Sequence, residues 1–515
     1  MAREIHSRIH LSGTLLAQTP LHVGGQGGDV DTDLPLARNG MGQLYVPGTS
    51  VAGALREHCQ RLFDESFTDR FWGYQTNDEG HASSVVIEDV VIDHAEDVVV
   101  EIRDGVGIDR QWGVAAEHIK YDRAILPRGT RMRLNLAVDV DKRENRSASL
   151  AMMASLKAAM EQGLVKLGAA KTRGLGLVRL EGGQLTERNF GTRQGILSIL
   201  RQREGIPLTP DELDQAQKAH PSRPLPRLGF VIRWRSVGPL MVKSGFDGIA
   251  VDMLPLTSGV DGQVAVVLPG SSMKGAVRSQ AERIIRTLLD RDVSRVNDPK
   301  QRFLKDCELP LINDLFGQRG QEMLEDESQK WLPGLGALRV NDCFGTQHLD
   351  TAQWQAVQAA QSDSDLRNAL DATGLQSWNQ GYHAAVDRWT GAAADSMLYS
   401  VLEPHSVEWE PLVIEIDLQR LQDDDWQVAL ALMLLLVRDL SQQRLPIGFG
   451  THRGMGTVRV DAVEFAVQHA GSALELLKGV ILSGGRLSEL PTELRHQLNA
   501  AWESWIARHC QEVTA

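Results

Sequence analysis

The chain has 515 residues, with 54 Lys plus Arg against 67 Asp plus Glu, a formal charge of −13. Its 42% hydrophobic and 23% charged residues belong to a folded globular protein, which excludes disorder over most of the length. The acidic balance excludes a protein that coats nucleic acid through a global basic field, though not one with local basic surfaces. At about 150 residues per domain, the length suggests roughly three to four domains. The longest apolar run, residues 428–437, is half of the roughly 20 residues a membrane helix needs. The N-terminus lacks the apolar core of a signal peptide, and Cys59, Cys307, Cys343 and Cys510 form no CxxC pair. The expectation is a cytoplasmic protein with no membrane contact, no disulfide framework and no zinc ribbon.

The first element is an alternating strand, Ile9-His-Leu-Ser-Gly-Thr-Leu15. The glycines at 24–28 that follow lead into no helix, so they are no dinucleotide fingerprint. Asp29-Val-Asp-Thr-Asp33 begins like a calcium loop, but Leu34 stands where Gly is needed and Gly40 where Glu is needed. Its carboxylates suit loose divalent binding or activation of a hydroxyl; the plain alternative is a solvated turn. Pro47-Gly-Thr-Ser-Val-Ala-Gly-Ala-Leu-Arg56 opens a helix. Gly48, Thr49 and Ser50 offer N–H and hydroxyl groups at its start, with Arg56 about two turns on, an arrangement that suits an RNA phosphate. The alternative is an ordinary helix cap. A strand at 131–138 and a helix at 147–161 precede Lys171-Thr-Arg-Gly-Leu-Gly176. Lys171 and Arg173 supply charge there, and Gly174 lets a ligand backbone approach, unless the loop is only a tight turn.

The same elements then recur. Prolines 207, 210, 221, 224 and 226 are expected to break regular structure at a joint spanning 205–226. A strand at 229–235 leads to a loop with Asp247 and Asp252, the latter shortly before Pro255 as Asp33 is before Pro35. Pro269-Gly-Ser-Ser-Met-Lys-Gly-Ala-Val-Arg278 repeats the helix start, 269 against 47, a displacement of 222, and carries Ser271, Ser272, Lys274 and Arg278. It lacks the Lys-Ser/Thr of a nucleotide-hydrolysing loop. Asp387-Arg-Trp-Thr-Gly391 answers Asp109-Arg-Gln-Trp-Gly113 at a displacement of 278. Thr451-His-Arg-Gly-Met-Gly456, with His452, Arg453 and Gly454, answers the basic loop. Phe71-Trp-Gly73 and Leu315-Phe-Gly317 form a weaker pair. Matches in one order make the chain a tandem duplication. The jump from 222 to 278 marks an insertion of 56 residues in the second copy.

Together, Leu21-His-Val-Gly-Gly25, Asp33-Leu-Pro-Leu-Ala-Arg38, Gly107-Ile-Asp-Arg110 and the helix and basic-loop motifs resemble the CRISPR-associated RAMP superfamily, and within it the family-seven backbone subunits of type III effector complexes. Two modules in one chain resemble the fused backbone subunit of type III-D variants. The expected fold is α+β: two ferredoxin-like (RRM-like) modules at 1–204 and 227–465, with inserted thumb hairpins, a Pro-rich linker at 205–226, a helical insertion at about 295–380 and a helical extension at 466–515. The resemblance implies partners (guide RNA, complementary target RNA, other effector subunits) and an endoribonuclease supported by Mg2+ or another divalent cation. It assigns catalysis and transient metal contact to Asp33 and Asp252, assisted by Asp29, Asp31 and Asp247. It places RNA contacts at Gly48, Thr49, Ser50, Arg56, Lys171, Arg173, Gly174, Ser271, Ser272, Lys274, Arg278, His452, Arg453 and Gly454. Copy one departs from the family in having Val51-Ala52 where copy two has Met273-Lys274. The rival readings are a non-catalytic guide-RNA scaffold and a guide-processing endonuclease.

Overall fold

The structure is a computed structural model that describes residues 4–511 apart from 26–31, 77–78, 95–97, 111–112, 142–144, 202–204, 246–247, 294–297, 299–301, 303–308, 319–333 and 422–424. The residues divide into two units. The first holds the chain up to Ile102, then Arg123–Lys171 and Leu175–Leu225. The second holds Arg103–Asp122, Thr172–Gly174 and everything from Pro226 on.

In the first unit, β1 (Ser7–Ala17) buries Ile9, Leu11 and Leu15 on one face, as its alternation requires. Helix α1 (Gly48–Leu62) follows. The chain then forms a hairpin of β2 (Glu101–Ile108) and β3 (Ala115–Ile125), whose residues 103–122 belong to the second unit, and returns to the first with β4 (Arg131–Val140), α2 (Asn145–Glu161), β5 (Leu177–Asn189) and α3 (Pro210–Ala219). β1 lies between β4 and β5, antiparallel to both, with Leu11 opposite Leu136 and Leu185. The short strands Val90–Ile92 and Tyr45–Val46 extend the sheet beyond β4. Val51, Leu55 and Cys59 of α1 and Leu150, Met153 and Leu156 of α2 bury against it, each large side chain contributing about 1.5–3 kcal/mol.

The expected break at 205–226 instead contains α3. Pro210 has no amide to lose at the first helical position, and Thr209 and Glu212 cap each other reciprocally. Ala216 buries into the first core, so the joint is part of that unit.

The second unit repeats the scheme with β6 (Arg227–Ser236), α4 (Gly270–Leu288), β7 (Leu338–Val340), α5 (Thr351–Gln358), α6 (Asp363–Ala372), the hairpin β8 (Asn379–Val386) and β9 (Ala393–Glu403), β10 (Leu412–Asp417), α7 (Asp425–Ser441), β11 (Val458–Gln468) and α8 (Thr492–Gln511). Its sheet runs β7–β10–β6–β11, followed by Ile481–Ser483. Phe230 on the central strand faces Ile414 and Phe465. Thus β6 sits between β10 and β11 as β1 sits between β4 and β5.

Two segments read from sequence as appendages share this core. Leu494, Leu498 and Trp505 of α8 bury in it, as do Trp354, Val357, Leu366 and Leu370 of the α5–α6 insertion. Among the described residues no helix is long and apolar enough to cross a membrane, and Cys59, Cys343 and Cys510 are free thiols.

Candidate nucleic-acid interface

Backbone pairing fixes where the two acidic loops stand. In the first module Gly24 pairs with Leu36 and Leu34 with Arg123; in the second Lys243 pairs with Pro255 and Met253 with Val401. Every loop position is displaced by the same 219 residues (243 against 24, 253 against 34, 255 against 36). Asp33 and Asp252 therefore occupy one equivalent position, each just before the residue that joins the loop to the second hairpin strand. The proline is what shifted: Pro255 answers Leu36, not Pro35. Both aspartates are exposed. Asp29, Asp31 and Asp247 lie outside the described residues.

Asp252 is held. Its Oδ2 accepts from the Ser400 amide at 2.7 Å and from the Ser400 hydroxyl at 3.0 Å, while its own amide donates to Ser400 Oγ at 3.1 Å.

The helix starts differ from expectation. The Gly48 amide donates to Asp89 Oδ1 at 2.8 Å, and the Gly270 amide to Asp342 Oδ1 at 2.7 Å. In both modules a carboxylate of the chain itself takes the first amide of the helix, the place expected to receive RNA phosphate. Thr49 and Ser271 remain exposed, with Ser50 and Ser272 half-buried. Lys274, expected to bring charge to RNA, is 5% exposed, and its ammonium donates to the Leu338 carbonyl at 2.8 Å. Its difference from Ala52 is a difference in the interior. Arg56 and Arg278 turn to the following segment, Arg56 to Asp69 at 2.9 Å and Arg278 to Glu282 at 2.7 Å and the Gly317 carbonyl at 2.8 Å.

The basic loops keep their surface. Arg173 is exposed and donates to the Tyr121 hydroxyl at 3.2 Å, and Lys171 pairs with Glu57 at 3.1 Å. Arg453 and His452 are exposed; Arg453 donates to the Tyr399 hydroxyl and lies over the Phe449 ring at 4.9 Å. Tyr121 and Tyr399 are equivalent hairpin residues, displaced by 278 like the hairpin turns. Gly174 differs from the expectation of room for a ligand: a Cβ there would lie 2.0 Å from Asp342 Oδ1, so the vacant volume admits a protein carboxylate. At Gly454 nothing lies within 4 Å.

A model of the RAMP superfamily matches residues 14–179 and again 255–459. The chain belongs to the RAMP superfamily. The first match runs from within β1 to the start of β5 and the second from Pro255 to the start of β11, one in each copy of the duplication. No curated protein matches this RAMP chain. RAMP proteins are CRISPR-associated and typically bind CRISPR RNA within complexes.

In each RAMP module the Asp-x-x-x-Gly motif makes the hairpin turn. The Gly113 amide returns to the Asp109 carbonyl at 2.9 Å and that of Gly391 to Asp387 at 2.8 Å. Among the described residues no three His, Cys, Asp or Glu are grouped to hold a metal. The donor set fits a cation only of the kind that keeps its waters and takes one carboxylate plus substrate phosphates. Asp89, Asp342 and Ser400 were not anticipated; they lie 41, 72 and 148 residues from their partners, too far for any local pattern.

Proposed function

We propose that this RAMP protein is the double backbone subunit of a type III CRISPR effector complex, holding guide RNA with other effector subunits and cutting the complementary target RNA at one aspartate per module. The observation that carries the reading is the equivalent placement of Asp33 and Asp252. Each is an exposed carboxylate on a loop joined to the second strand of its module's hairpin. An arginine of the basic loop, Arg173 or Arg453, bonds a tyrosine of the corresponding strand, β3 or β9.

The chemistry follows from those groups. A ribose 2′-hydroxyl beside the carboxylate loses its proton to it as the 2′-oxygen attacks the adjacent phosphorus. The bond to the 5′-oxygen breaks and that oxygen takes up a proton, giving a 2′,3′-cyclic phosphate and a 5′-hydroxyl. Arg173 and Arg453, with Lys171 and His452, hold backbone phosphates and fix the register of the strand. Asp33 and Asp252 would be the protein ligands of Mg2+ or a similar cation, which supplies neutralisation of the phosphate charge when bound.

The test loads the effector complex with guide and end-labelled complementary RNA in magnesium. Asp33→Ala and Asp252→Ala are each expected to remove one distinct product, by about 100-fold or more, while guide and target stay bound. Unchanged products from both variants would make the chain a scaffold, and EDTA-insensitive cutting of precursor repeats would make it a guide-processing enzyme.

A further inference from the structure

We infer that Ser400 is the positioning residue for the Asp252 carboxylate, an inference that rests on the catalytic reading of Asp252 above. Ser400 is 5% exposed and stands on β9. Both its donors, the amide and the hydroxyl, converge on a single oxygen of Asp252, Oδ2. Its hydroxyl oxygen also accepts the Asp252 amide. One hydroxyl thus donates to the side chain and accepts from the backbone of the same residue, which is its full capacity as a single donor.

The loop is fastened on the far side as well. The Met253 amide donates to the Ser400 carbonyl at 3.1 Å, and the Leu402 amide to the Met253 carbonyl at 2.9 Å. The carboxylate is therefore fixed in both main chain and rotamer. Its other oxygen, Oδ1, has no hydrogen bond from the protein among the described residues, and the side chain stays exposed. Oδ2 is the anchored oxygen; Oδ1 is the one presented to substrate. A reacting group held this way has paid its orientational entropy before substrate arrives.

The hydroxyl is particular to the second module. Val401 answers Arg123 in the loop pairings, so Ser400 answers Asp122. An ionised carboxylate has no hydrogen to donate, and Asp122 cannot repeat the hydroxyl's role.

The experiment uses the guide-loaded complex with end-labelled target RNA and compares Ser400→Ala, Ser400→Thr and Asp252→Asn. Ser400→Ala is expected to slow the Asp252-dependent product by about 10- to 100-fold, since a displacement near 1 Å at a reacting group costs that much. The Asp33-dependent product should hold its rate, and target affinity and melting temperature should hold. Ser400→Thr, which keeps the hydroxyl, should recover most of the rate. The magnesium concentration that half-saturates the second cut should rise in the alanine variant and not for the first cut. If Asp252→Asn removes its product while Ser400→Ala cuts at the wild-type rate, the positioning role is wrong and the catalytic reading stands. Equal losses from alanine and threonine, or loss of both products, would make Ser400 a structural residue. If Asp252→Asn leaves both products, the catalytic reading falls and this inference with it.

Discussion

The two hairpins share a turn motif and a length class, yet they end in different surroundings. In the first, Arg103 donates to Asp342 and, at 2.9 Å, to the Ser258 hydroxyl, all within the second unit. Near its tip, Asp109 accepts from Arg302 at 2.9 Å and Arg110 pairs with Glu282. In the second hairpin Gly381 holds the place of Arg103, and at its turn Trp389 is 95% exposed, with Tyr382, Val386, Met397 and Leu398 exposed along the strands. The first hairpin is docked through buried charge although Val106, Ile108 and Val114 stay exposed, and the second presents a longer set of bare apolar side chains with Trp389 at its turn. The turn motif specifies that a hairpin forms; a few charged residues outside the motif decide whether it is anchored.

That contrast is easiest to break at its root. Arg103→Ala leaves the Asp342 carboxylate, wholly buried, without its cation and should cost about 3–5 kcal/mol in urea unfolding. Trp389→Ala should move stability by no more than about 0.5 kcal/mol. Equal effects would mean that the first hairpin is no better anchored than the second. The modules' likeness is tested next by Gly176→Ala and Gly456→Ala. Each glycine has positive φ, and in each an added Cβ would sit 2.1 Å from a carbonyl, that of Leu167 or Ile447. Both substitutions should destabilise by at least about 1–3 kcal/mol; a tolerated alanine in one module only would end the equivalence of the loops.

The smallest effect concerns pH. His22 in the first module answers Met241 in the second, and burial holds the imidazole below its ordinary 6.5, against the raising influence of its bond to the Ala124 carbonyl. The unfolded chain takes up the proton first, so stability present above pH 6.5 declines as pH falls through the unfolded value toward the folded one. The melting temperature should drop between pH 7 and pH 5, and His22→Met should shrink that drop. A drop of unchanged size would put the acid sensitivity on other groups, such as His10, whose imidazole burial also depresses.

Much of this was legible locally. The strand around Ile9 and the helices at 145–161 and 425–441 follow from periodicity within one segment, and the recurrence of Pro-Gly-x-Ser and Asp-Arg motifs exposed the duplication. The candidate aspartates were legible as a pair, although a proline shifted by one position blurred their alignment. What stayed hidden were residues that act across long separations. Nothing near Gly270 announces that Asp342 will take its amide, and Lys274 looks like surface charge until β7 offers it a carbonyl. The prolines near 210 were misleading because proline both ends helices and starts them, and Thr209 with Glu212 decides for the latter.

The second unit is assembled from three stretches of chain, two of them lying inside the sequence of the first. No single cut therefore separates the repeats into two complete halves. A gene split at the joint would give a downstream product whose Asp342 has lost Arg103, and an upstream product carrying a strand-borne arginine with nowhere to bury. With residues 103–122 built into the second fold, the link between the copies is part of a folded core and not a tether that can be cut without loss.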